Sequence, residues 1–65
     1  MDPGEIWQII IKADDLLKYA TEDKTAVRRE QAAALLRDAL EAAETAGNEQ
    51  LAEQARTRLA DLGEA

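Results

Sequence analysis

Asp14 and Asp15 are the one adjacent carboxylate pair inside an apolar-periodic stretch of this chain. Paired carboxylates do general acid–base chemistry when a pocket pushes their pKa values apart. Neighbours on a helix point about 100° apart, however, and Lys18 stands one turn after Asp14. A solvated helix face with an i,i+4 ion pair is therefore the expected role. His, Cys and Ser are all missing from the sequence, so the usual nucleophile–base arrangements cannot be assembled. The nitrogen and sulfur ligands of zinc and haem sites are missing with them. Of the hydroxyls, Thr21 and Thr25 sit where helix caps are expected, and Thr45 and Thr57 read as exposed helix positions. Gly4, Gly47 and Gly63 all fall at helix ends. They build no phosphate-cradling loop and no calcium loop of alternating oxygen ligands. The expectation is a non-enzymatic protein with no catalytic residue, no metal, no cofactor and no small-molecule substrate.

What remains is a surface. The lone Trp of the chain, Trp7, stands one turn before Ile11. On a helix, Ile6, Ile9, Ile10, Ala13, Leu16, Leu17 and Ala20 share an arc of about 120°, which is the width a helix packed on one side needs. Trp7 and Ile11 lie about 60° or more beyond its edge. Two placements fit them. In one, a third helix of the same chain covers Trp7. In the other, Trp7 and Ile11 meet another protein, Trp being the residue type most enriched at binding hot spots.

Three helical segments must position these residues. The first spans about 4–20, with Asp2 as N-cap and Pro3 in the first turn. Its run of three isoleucines belongs to a 15-residue helical spacing, and that length favours helix over strand. The second segment spans about 24–46. Its core face reads Ala32, Leu35, Leu36, Ala39, Ala43 and Ala46, with Leu40 and Ala42 at the margins. Gly47-Asn48 then closes one helix and caps the next. So short a loop makes the last two helices antiparallel neighbours. The third spans about 49–62, with Leu51, Ala55, Leu59 and Leu62 on one face and Gly63 after it. Between the first two segments, Thr21-Glu22-Asp23-Lys24-Thr25 holds no Gly or Pro. Local signals there allow one continuous helix from Glu5 to Ala46. The phase argues for a break, because carried through at 3.6 residues per turn the two apolar arcs lie about 100° apart. With a break, one of Thr21, Asp23 and Thr25 is the expected cap. The fold class predicted is all-α, a three-helix bundle in a single domain over 1–65.

Size and charge narrow the partners. A chain of 65 residues buries only about 60% of the surface its unfolded state exposes, and without Cys it has no disulfide to offset that. Packing and self-association remain, which favours a homo-oligomer. The net charge of −6 opposes nucleic-acid binding, which needs cations against phosphate. Lys24, Arg28 and Arg29 form one basic cluster, but Glu22, Asp23 and Glu30 stand beside it, so it reads as a mixed solvated face. No stretch approaches the roughly 20 apolar residues of a membrane span. The opening Met-Asp-Pro-Gly-Glu lacks a basic leader region, and a cytoplasmic location is expected.

Residues 33–62 resemble a single tetratricopeptide-type helical hairpin. The likeness rests on an Ala/Leu-rich helix, Gly47-Asn48 at the turn, Ala52 at a small-residue position, and the closing Leu59-Ala60-Asp61-Leu62. Departures from the pattern are Leu40 at the family's small-residue site, Arg56 in place of an aromatic, Leu59 at the late Ala position, and no following Pro. The resemblance implies a peptide- or protein-binding module. Such repeats stack, and about three are normally needed, so a single repeat implies stacking across copies or a fragment. The favoured function is a protein–protein interaction or self-assembly module anchored by Trp7 and Ile11. A peptide-binding adaptor for a heterologous partner and a small acidic regulator of a basic target are the alternatives.

Overall fold

In a computed structural model, which describes residues 1–63, the chain forms three helices. Helix α1 covers Pro3–Lys18, α2 covers Thr25–Thr45 and α3 covers Glu49–Asp61. A single 3₁₀ turn, Glu22–Lys24, leads into α2. The architecture is the all-α three-helix bundle predicted, with the break between the first two helices in place. Helix α2 lies in the middle and packs along both others, whereas α1 and α3 touch over a short stretch. The Cα atoms span 37 × 21 × 13 Å. A 13 Å thickness corresponds to one helix packed on another, with axes about 8–10 Å apart. Each helix therefore keeps a broad face in solvent.

The helix starts follow the residue chemistry. The Asp2 carboxylate accepts a hydrogen bond from the Glu5 N–H at 2.9 Å, with Pro3 in the first turn. That bond favours the charged form and holds the Asp2 pKa below its ordinary value. The cap is thus fully present at neutral pH and is lost as the pH falls through this lowered value. Asn48 starts α3 in the same way, its side-chain oxygen accepting from the Leu51 N–H at 3.1 Å.

Gly47 does what a helix end demands. It stands at φ +70°. The Asn48 N–H donates to the Ala43 carbonyl at 2.8 Å and the Gly47 N–H to the Glu44 carbonyl at 3.0 Å. This six-to-one and five-to-two pair satisfies the last carbonyls of α2 while reversing the chain. An added Cβ meets no atom within 4 Å, so the obstacle to substitution is backbone conformation alone. Gly47→Ala is expected to cost about 1 kcal/mol and to lower Tm by roughly 4–8 °C, as read by thermal circular dichroism.

The junction between α1 and α2 departs from expectation. Helix α1 stops at Lys18, two residues early, with Tyr19 as its C-cap. Lys24, not Thr21, Asp23 or Thr25, occupies the N-cap of α2, without a side-chain bond to the backbone. The threonines tie the connection together instead. Thr21 Oγ1 donates to the Asp23 carboxylate at 2.8 Å, and Thr25 Oγ1 donates to the Thr21 carbonyl at 3.0 Å. The preceding 3₁₀ turn supplies backbone bonds of its own, the Lys24 N–H reaching the Thr21 carbonyl at 3.0 Å, so α2 needs less from a capping side chain. At the far end α3 closes at Asp61, one residue before the expected boundary.

The core is small and rich in alanine. Its buried members are Ile6, Ile10 and Ala13 from α1, Ala32, Ala33, Leu36, Ala39 and Ala43 from α2, and Ala52, Ala55 and Leu59 from α3. Ile9, Leu16, Leu17, Leu35, Leu40, Ala42, Leu51 and Leu62 pack around them, half-buried. Ala46, expected inside, is exposed, because the chain has begun its turn there. Ala33 and Ala52 are buried although the apolar faces read from sequence omit them. A helix with neighbours on two sides buries a wider arc than one stripe, and an alanine at the edge of that arc lets the neighbour approach.

Candidate protein interface

Trp7, Ile11 and Asp14 follow each other along one side of α1, and the first and last of them meet Arg58 of α3. Their positions run i, i+4, i+7, so they form one row along the helix. Trp7 is 37% exposed, and Ile11 is half-buried. The intramolecular partner of this row is Arg58, from the last turn of α3. Its guanidinium carbon lies 5.7 Å from the centroid of the Trp7 ring, within the range of a cation–π contact.

The same guanidinium grips Asp14. Arg58 Nε donates to both Asp14 carboxylate oxygens at 2.9 and 3.1 Å, and Nη2 donates to Oδ2 at 3.1 Å. Its Nη1 turns back to the Gln54 side-chain oxygen at 2.7 Å and the Gln54 carbonyl at 3.2 Å. Fork-to-carboxylate geometry of this kind fixes the planar group in place. Arg58 is thus a clip across the α1–α3 seam, with Trp7 beneath its face.

This revises one expectation. Asp14 serves a tertiary ion pair with Arg58, not a local pair with Lys18, whose ammonium lies 5.3 Å from the centroid of the Tyr19 ring. Tyr19 itself is 70% exposed, a ring lying on the surface. Trp7 is covered in part by α3 through Arg58, and 37% of it is exposed. The pairing of Trp7 and Asp14 with Arg58 was not visible from α1 alone. A usable signal was present, since Arg58 sits at the margin of the α3 apolar face, next to Leu59, where a cation can reach a neighbouring helix.

Arg58→Ala is expected to uncover Trp7. Its emission should move to longer wavelength and its quenching by acrylamide should rise, while helicity persists. With Asp14 about 40% exposed, loss of the pair itself should cost no more than about 1 kcal/mol. Unchanged Trp7 emission would mean that Arg58 does not shield the ring.

The basic cluster at the start of α2 also finds structural work. Arg29 Nη2 donates to the Leu62 carbonyl at 2.9 Å, tying the end of α3 to the first turns of α2. Arg28 is half-buried near Lys12 and Leu16 of α1. Among the described residues no group of three or more acidic side chains is arranged to hold a metal ion. No described helix is long and apolar enough to cross a membrane.

No family model, curated protein or solved structure matches the chain. The likeness of residues 33–62 to a tetratricopeptide hairpin thus rests on the residues that carry it.

Proposed function

We propose that this chain is a non-enzymatic protein-interaction module that assembles with copies of itself through the α1 face bearing Trp7 and Ile11. The observation that carries the proposal is the partly exposed Trp7 ring, set next to half-buried Ile11 on a face that the fold leaves open. Exposed aromatic rings of this size are costly to leave in water and contribute strongly when covered. Arg58, fixed by Asp14, lies over the indole and favours that ring position before any partner arrives.

The core supplies a second argument. Among the described residues, seven of the eleven buried side chains are alanine, and Ile6, Ile10 and Leu36 are the largest that are fully buried. Domains of this length gain little from so small an interior, and a second copy over the α1 face would add apolar burial. The absence of Ser, His and Cys from the sequence leaves surface recognition as the function best matched to its chemistry.

Heteronuclear NMR of the whole chain tests the proposal. On raising the protein from low micromolar to near-millimolar concentration, the Trp7 indole and Ile11 methyl signals should shift ahead of those of Val27, an exposed residue on the outer side of α2. Signals at Trp7 and Ile11 that stay constant while the chain associates elsewhere would remove the α1 face as the interface.

A further inference from the structure

A second open surface lies between α2 and α3. It is a groove of about 560 Å³ whose apolar lining comes from Leu40, Leu59 and Ala60. Glu53 and Asp61 stand on its α3 side together with Arg56. The Arg56 cation is already matched: its guanidinium lies 3.6 Å from Glu44 and 3.3 Å from Glu53 and also bonds Glu49. Glu53 and Asp61 thus line the groove against one cation that Glu44 and Glu49 also share, on a chain whose net charge is −6. Leu59 belongs to the buried core and Leu40 packs against it, so the floor of the groove is held by the fold itself.

We infer that this groove docks a basic amphipathic helix, an apolar face flanked by Lys or Arg. The apolar strip between two antiparallel helices suits a third helix laid along it, with anchors spaced i, i+3 or i+4, i+7. The carboxylates of Glu53 and Asp61 would face the flanking cations, giving attraction and register. A second copy is a poor occupant of this groove, because a carboxylate rim calls for a partner face rich in Lys or Arg and the chain carries 8 such residues against 14 Asp and Glu. The groove is separate from the Trp7 face, so this inference stands or falls independently of self-assembly.

The test uses the whole chain and two synthetic peptides with the same leucine face, one flanked by lysines and one by glutamates. Binding is followed by isothermal calorimetry and by backbone amide shifts. The lysine peptide should bind, shift Leu40, Leu59 and Ala60, and lose about tenfold in affinity between low and high salt. The glutamate peptide should not bind. Ala60→Arg, at an exposed helix position where both residues are good helix formers, should weaken the lysine peptide at least about tenfold and leave the circular dichroism unchanged. Thr57→Lys, at another exposed position of the lining, provides a second block. Equal binding of both peptides, full binding by Ala60→Arg and Thr57→Lys, or groove shifts that grow with protein concentration alone would each overturn the inference.

Discussion

Leu36→Ala is expected to leave much of the chain unfolded at room temperature. Leu36 is fully buried on α2, the helix that packs along both α1 and α3. Large-to-small changes of this kind cost about 2–5 kcal/mol, with the upper values where the surroundings cannot collapse into the void. A core of a chain this short rarely supplies more than about 3–5 kcal/mol in total. The neighbours of Leu36 in α2 are largely alanines, whose single methyl cannot swing over to fill a cavity. Leu35→Ala is the matched control, because Leu35 is half-buried one position away and should cost less than half as much. Chemical denaturation followed by ellipticity measures both. Equal and small effects would mean that the interior is plastic and that α2 is not its keystone.

Trp7→Ala has the largest expected effect on association. Exposure of 37% leaves roughly 90 Å² of a side chain that presents up to about 250 Å². Covering that surface contributes about 2 kcal/mol per copy by area, an upper figure. A symmetric contact counts it twice, so association should weaken on the order of 100-fold or more. Within one chain the substitution removes the ring beneath Arg58, a contact of about 0.5–1 kcal/mol at such a site. Helix α1 stays docked through Ile6, Ile10 and Ala13, all fully buried. The variant should therefore remain helical, which circular dichroism checks. If it unfolds at every concentration, Trp7 belongs to the fold and not to an interface.

Most of the fold was legible in the sequence because its signals were local. Asp2 with Pro3, and Gly47 with Asn48, each carry their own geometry, so the start of α1 and the α2–α3 turn fall where those residues stand. The break before α2 was legible through phase: two apolar arcs on one straight helix could not share a core. Its exact form was not legible, because Thr21, Asp23 and Thr25 are equally good caps in isolation. The choice fell to a 3₁₀ turn and threonine bonds that depend on three-dimensional placement.

The candidate site was half legible. Periodicity alone singled out Trp7 and Ile11 as lying off the core arc. Asp14 looked like a local ion-pair partner, since i,i+4 spacing to Lys18 is visible in one dimension. Its actual partner is 44 residues away, and which helix faces which is decided by how α2 seats both neighbours. Arg29 shows the same limit. Beside Glu22, Asp23 and Glu30 it reads as one charge among many, yet its long side chain reaches the last turn of α3. Arg56 and its carboxylates were likewise invisible as a rim until the hairpin set α2 and α3 side by side.

Sedimentation equilibrium of the intact chain, from low micromolar to near-millimolar protein and followed by Trp7 absorbance, tests self-assembly most directly. Assembly through the α1 face requires an average mass that climbs above that of one chain as concentration rises, and a Trp7→Ala variant, followed by interference, that stays lower over the same range. A single-chain mass at every concentration would contradict self-assembly outright.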